Sequence, residues 1–444
     1  MTPKKLVALA LADTVLASDA SLAGLIESAT WALGHKWRWI PSLCKAIHKW
    51  AREHFYYFSR DELAEFILEH RGFNDAWRAS GQAPQIAHYC LSLPIPTEKP
   101  SWLSALSLPA FATTADLAVW LNASLPDLDW FADKWRDNFL TATALQHYHH
   151  RWLAKKSGGL RLIEIPKSLL RAMQTQILRN LLDLVPPHQA AHGFRRAHSS
   201  VTHAALHAGK RIVIRMDLKN FFTSIPAARV QALFAKLGYS TNVAGALARI
   251  CTYRTPSHVL GQAEIVKGLP WQERMAYRTR HLPQGSPSSP ALANLCAFRL
   301  DIRLDALAKS LDASYSRYAD DLVFSGDIEL EQAMDRFHVQ VAAIAREEGF
   351  AVNTRKTRMM RAGTRQQVTG IVVNRHPNVA RKEFDVLKAI LTNCIRHGPT
   401  SQNQEQRSNF KEYLSGKVAY TQMVNPQRGN RLRQLFEKIL WVDL

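Results

Sequence analysis

Two short stretches of this 444-residue sequence carry carboxylates in settings that suit metal-assisted chemistry. In SRYADDLVFSG, residues 316 to 326, Asp320 and Asp321 stand side by side between a tyrosine-containing stretch and an apolar run. Neighbouring carboxylates at a tight turn repel each other and raise each other's pKa unless a cation neutralises them. The dipeptide alone is more often a plain surface turn. In RIVIRMDLKNFFTSI, residues 211 to 225, an apolar run ends in Asp217 and passes into an aromatic segment. One Asp and one Asp-Asp pair, each borne on a strand, supply the oxygen ligands that bridge two magnesium ions about 3.5 to 4 Å apart in phosphoryl transfer. One ion would activate an attacking hydroxyl and the other would steady the leaving pyrophosphate.

The elements that must hold these carboxylates are readable as a pattern. Short β-rich runs, LRLIEIP, RIVIRMDL and DLVFSG, alternate with helical segments from about residue 120 onward, so the body is mixed α and β. Residues 1–95 read as amphipathic helices rich in aromatics, such as WRWIPSLCKAIHKWAREHFYYF, and form a helical N-terminal extension. A Pro- and Ser-punctuated stretch marks 96–119 as the linker region. The chain carries 57 Lys and Arg against 37 Asp and Glu, a formal charge of +20, which is the footprint of a protein that sits on phosphate backbones. Residues 351 to 444 hold 17 basic and 6 acidic residues, a surplus of 11, so that segment is expected to grip nucleic acid. The five cysteines are scattered without ligand spacing, which indicates neither a disulfide framework nor a zinc site. Asp13 interrupts the apolar N-terminal stretch and no run approaches a membrane span, so a cytoplasmic protein with no membrane partner is expected.

Four motifs then fall in a recognisable order: Asp217 within its strand, LPQGSPSSP at 282 to 290, YADD at 318 to 321 and GFAVNTRKTR at 349 to 358. Together with the segment KKSGGLRLIEIPKSLLRAMQTQIL they resemble the reverse transcriptases, from near residue 120 almost to the C-terminus. The resemblance implies an α+β right-hand polymerase with fingers at 120–210, a palm at 211–374 that includes part of the fingers, and a thumb at 375–444. It implies an RNA-directed DNA polymerase that binds two Mg2+ ions at Asp217, Leu218, Asp320 and Asp321, with the three aspartates as catalytic residues. Phe222 matches the bulky ring under the sugar of the incoming deoxynucleotide. Gln284 and Gly285 match the segment lying against that nucleotide and the template, and Tyr318 belongs to the same site. Lys156 and Arg161 match residues that clamp the triphosphate. Lys356 matches a lysine near the departing pyrophosphate, a contact to backbone phosphate being the alternative.

Two further motifs resemble the hallmarks of bacterial retron enzymes, and the long N-terminal extension resembles their myxobacterial branch. HAALH carries His203 where asparagine is usual and keeps Ala204 and His207, while VTG is intact at Val368, Thr369 and Gly370. The resemblance assigns these six residues to RNA recognition. It implies as partners a cognate structured non-coding RNA and its cDNA, dNTPs and an effector protein, with synthesis primed from an RNA 2′-hydroxyl in defence against phage. Thumb residues Arg381, Lys382, Arg396, Lys411, Lys417, Arg428, Arg431 and Arg433 fit a groove for A-form duplex. Three other readings stay open at this point: a phage-exclusion reverse transcriptase without a branched product, a group II intron-type maturase, and a non-enzymatic RNA-binding scaffold on the polymerase fold.

Overall fold

A computed structural model describes residues 2–18, 22–54, 60–79, 83–89, 105–133, 145–155, 158–262, 265 and 268–441. The chain divides into two compact units, Met1–Thr97 and Glu98–Leu444.

The first unit contains α1 (Pro3–Ala17), α2 (Leu22–Leu33), α3 (Ile40–His54), α4 (Arg60–Glu69) and α5 (Arg71–Arg78). Pro3 opens α1 behind the N-cap Thr2, whose side chain accepts from the Lys5 amide and so satisfies one of the helix's free donors. The apolar N-terminal stretch is a core helix: Val7, Leu11, Ala12 and Val15 pack with Leu43, Ile47, Leu63, Ile67 and Phe73 in a core confined to this unit.

In the second unit the first described helices are α6 (Thr114–Trp120) and α7 (Leu125–Phe131). Each begins with a capping box, Thr113 with Asp116 and Ser124 with Asp127. Leu108, Leu117 and Ala118 belong to the main core of this unit, so the described part of the stretch read as linker packs as structure. A two-stranded antiparallel hairpin joins β1 (Tyr148–Ala154) to β2 (Leu160–Pro166), and α8 (Ser168–Asn180) and α9 (Ser200–Ala205) come after it.

The central sheet is antiparallel throughout, with β3 (Ile212–Asp217) between β5 and β6. The helices between β3 and the next strand include α10 (Ala227–Lys236), α11 (Thr241–Cys251), α12 (Ser289–Cys296) and α13 (Phe298–Lys309). Strands β4 (Ser314–Tyr318) and β5 (Asp321–Gly326) form a hairpin, α14 (Ile328–Glu347) packs into the main core through Phe337 and Val341, and β6 (Arg358–Arg361) completes the order β4-β5-β3-β6. Ile212, Ile214 and Met216 alternate along β3 into the main core, the period of two that one face of a strand requires. A small hairpin, β7 (Gln367–Val368) with β8 (Ile371–Val372), leads to α15 (Arg381–His397), α16 (Phe410–Val424) and α17 (Pro426–Phe436). These last helices share a separate core of Leu387, Leu391, Leu414, Val418, Leu432 and Phe436. The architecture is the expected α+β right-hand polymerase with a helical N-terminal extension. Among the described residues no helix is long and apolar enough to cross a membrane.

Candidate active site

The carboxylates meet where β3 and β5 run side by side. Asp217, the last residue of β3, lies directly opposite Asp321, the first of β5, and the Leu218 amide donates to the Asp320 carbonyl at 2.8 Å. The β4–β5 turn that carries Asp320 is held from below by Arg317, whose side chain is fully buried. Its guanidinium forms a bidentate pair with Asp301 (2.8 and 2.7 Å) and reaches Asn294 Oδ1 at 3.0 Å and the Ala319 carbonyl at 3.1 Å. A planar fork with this many partners fixes the turn in a way that a lysine does not.

Charge in the site is arranged in pairs. Burial, and then the neighbouring Asp217, raise the pKa of Asp320. Burial pushes Asp321 up to about 6 against the opposing pull of Arg215. Arg215 Nε lies 2.6 Å from Asp321 Oδ1, and Lys356 Nζ lies 3.2 Å from both Asp217 oxygens. Asn353 braces the same aspartate, its amide donating to the Asp217 carbonyl at 2.7 Å and its side chain to Oδ1 at 3.4 Å. Among the described residues no three acidic, histidine or cysteine side chains already stand as a metal cage. The donor set nevertheless suits a hard divalent cation. It offers oxygen ligands only, two of the carboxylates are raised by burial and mutual repulsion, and an ammonium already stands against the third.

The other candidate residues distribute unevenly around this centre. Phe222 and Tyr318 each lie beside the exposed ring of Phe194, at centroid distances of 6.2 and 6.4 Å. Arg161, exposed on β2, is one of the cations that oppose the rise in the Asp320 pKa. Lys156 lies outside the described residues. The Gln284 carbonyl accepts from the Glu164 amide at 2.9 Å, and Gly285 adopts φ +138°. A β-carbon at Gly285 would come within 2.5 Å of the Glu164 carbonyl oxygen, so glycine alone permits this approach. The same Glu164 is fully buried and bonds Thr255 at 2.6 Å and His281 at 2.9 Å, tying the hairpin to the LPQG segment.

Of the six residues assigned to RNA recognition, four lie in the core. His203, Ala204, His207 and Val368 are fully buried and present no surface to an RNA. His207 spans the β4–β5 hairpin instead, with Nε2 2.6 Å from Ser316 Oγ and Nδ1 2.7 Å from Ser325 Oγ. Ala204 and Val368 pack together with Val213, Val323 and Ile371, and Thr369 Oγ1 donates to the Ser200 carbonyl at 3.3 Å. The two motifs therefore meet each other behind the central sheet, and of the six assigned residues Gly370 alone is exposed, while Ala205 and Leu206 within HAALH face outward. His203 makes no well-formed hydrogen bond through either ring nitrogen.

Sequence reasoning missed Arg215, Arg317 and Phe194. A signal for Arg215 exists, since it precedes Asp217 by two and must share its face of the strand.

Residues 153–391 match the family described as reverse transcriptase (RNA-dependent DNA polymerase). The chain is 38% identical over 337 residues to the retron Mx65 reverse transcriptase of Myxococcus xanthus, a match covering 74% of this chain and 72% of that protein. It is 34% identical over 333 residues to the retron Mx162 reverse transcriptase of the same organism, covering 72% and 66%. It is 30% identical over 231 residues to the retron Ec86 reverse transcriptase of Escherichia coli, covering 52% and 64%.

Proposed function

Because the chain belongs to the retron reverse transcriptases and is an RNA-directed DNA polymerase, we propose that it copies a cognate structured non-coding RNA into single-stranded DNA joined to that RNA. Priming is from an RNA 2′-hydroxyl, and the system acts against phage together with an effector in the cytoplasm. The observation that carries this reading is the 38% identity to a retron enzyme sustained over 74% of the chain.

In the proposed mechanism the three carboxylates Asp217, Asp320 and Asp321, with Leu218 beside them, hold two Mg2+ ions. When bound, the ions lower the pKa of the attacking hydroxyl and neutralise charge on the leaving pyrophosphate. The protein's own residues do the rest. Lys356, whose ammonium stands 3.2 Å from Asp217, would swing to the leaving group and neutralise its charge. Arg161 and Lys156 draw in the triphosphate, Phe222 excludes a 2′-hydroxyl, and Gln284 and Gly285 lie against the nascent pair. Duplex is held by exposed basic residues of the last three helices, including Arg381, Lys382, Arg396, Lys411, Lys417 and Arg431. Of the six residues assigned to RNA recognition, Thr369 and Gly370 have surface to offer the RNA.

The test is to express the protein with its flanking genomic DNA and to sequence the copurifying nucleic acid before and after RNase and debranching treatment. Discrete DNA joined to RNA through a 2′ branch supports the reading. Unbranched DNA keeps the polymerase and moves it to the phage-exclusion class.

A further inference from the structure

The segment preceding α9 contains a residue in a strained conformation that burial does not repay. Its first part is laced to the catalytic hairpin: the Arg317 amide donates to the Ala190 carbonyl at 2.7 Å, and the His192 amide donates to the Arg317 carbonyl at 2.8 Å. Gly193 is then pressed against the turn. A β-carbon there would come 2.7 Å from the Ala319 nitrogen, and the Gly193 carbonyl is bound by Asn294 Nδ2 at 2.8 Å. Asn294 is itself held by Arg317. Backbone pinned this firmly gives the next residue little freedom to relax.

That residue is Phe194, at φ +60°. The left-handed region costs an L-residue roughly 1–2 kcal/mol and is a genuine outlier for a bulky side chain. Burial does not repay the cost, because Phe194 is 51% exposed. Glycine or asparagine would occupy the position more easily. The strain instead delivers an aromatic ring to one place, beside both Phe222 and Tyr318 at centroid distances of 6.2 and 6.4 Å and next to the turn bearing Asp320. Strain of this kind persists where surrounding structure over-determines it, and here the surroundings are the polymerase site itself.

We infer that Phe194 is a substrate-binding residue that forms an aromatic wall of the pocket for the incoming deoxynucleotide, alongside Phe222. The inference rests on the placement of the polymerase site at Asp217, Asp320 and Asp321. The ring is half in water in the free enzyme and is covered when a nucleotide sugar and base enter. Aromatic contact of this type is sequence-tolerant, as a pocket serving four different bases requires.

The experiment uses the full chain, magnesium and a generic primed RNA. Phe194→Ala is expected to raise the KM for dNTPs about tenfold while kcat stays within about threefold, the size of a lost ring–base contact. Phe194→Tyr keeps KM within about twofold of the parent because the ring remains. Phe194→Gly separates ring from backbone: it shows the same KM defect as Phe194→Ala but melts at a higher temperature, since glycine adopts the positive φ without strain. The inference fails if Phe194→Ala leaves KM unchanged, or if Phe194→Gly restores it. It fails also if Phe194→Ala weakens primer–template binding alone. Asp320→Asn is run in parallel. Residual synthesis by that variant removes the placement of the site, whereas a dead Asp320→Asn beside an unaltered Phe194→Ala removes only the role of the ring.

Discussion

Lys356 holds its ammonium 3.2 Å from each carboxylate oxygen of Asp217, so the protein supplies its own cation to a carboxylate proposed to bind magnesium. An internal cation competes with an external one. Lys356→Met should therefore tighten divalent binding to the free enzyme several-fold, read by manganese EPR titration, while slowing incorporation by about one to two orders of magnitude. Binding that is unchanged or weaker shows that the ammonium is no competitor.

Asp320→Asn should lower incorporation at least about a thousandfold, since it removes one of the three carboxylates proposed to hold magnesium. The β4–β5 turn is fixed by Arg317 through the Ala319 carbonyl and Asp301, not by the Asp320 side chain, so the fold survives. Primer–template affinity, measured by filter binding, should stay within about twofold. Persistent synthesis would overturn the assignment of Asp320.

Phe222→Ala should admit ribonucleotides. The readout is the ratio of kcat/KM for dNTP over rNTP, expected to fall by about two orders of magnitude as the steric clash with the 2′-hydroxyl disappears. A ratio that does not move assigns the gate to another side chain.

His207→Ala removes a ring that bonds Ser316 and Ser325 inside the palm, leaving two buried hydroxyls without partners and a void. The expected loss of stability is about 2–4 kcal/mol in urea denaturation. Synthesis should fall equally on a generic primed RNA and on the cognate one. A defect confined to the cognate RNA would return His207 to RNA recognition.

Three linked histidines set an acid limit to stability. Burial is the leading cause in each case, and it lowers His192 to about 4, His203 to about 2 and His207 to about 3, with neighbouring histidines and Arg195 or Arg215 adding to the effect at His192 and His203. An unfolded histidine titrates near 6.5, so below that pH the unfolded chain takes up protons that the folded chain refuses. Stability should therefore fall as pH drops from 7 toward 4, by up to about 1.4 kcal/mol per pH unit for each histidine. His203→Asn should flatten that limb by one proton, read from Tm against pH. His281 behaves oppositely. Burial works against its charge, but the Glu164 carboxylate outweighs this and holds its pKa above the usual value, so its contribution is present at low pH and lost as pH rises.

The carboxylates are legible in the sequence because a strand ending in Asp and an Asp-Asp turn are local signals, and antiparallel pairing then sets Asp217 opposite Asp321. Burial of the HAALH and VTG motifs is not legible, since short motifs do not reveal which face of the sheet they pack behind. Pro and Ser punctuation misleads near residue 110, although the Thr113–Asp116 capping box is visible in TTAD and marks a helix start. Phe194 leaves no local trace, because its strain is imposed by Arg317 and Asn294, each distant in sequence.

Gly285 and Glu164 touch backbone to backbone, so closely that a single methyl group would force them apart. The β1–β2 hairpin and the LPQG loop are therefore joined like the two arms of a bell crank, with the buried Glu164–His281–Thr255 cluster as the pin. Arg161 rides on one arm and Gln284 on the other. A displacement of the arm bearing Arg161 is passed to Gln284 through backbone contact, with no flexible side chain between them to absorb it.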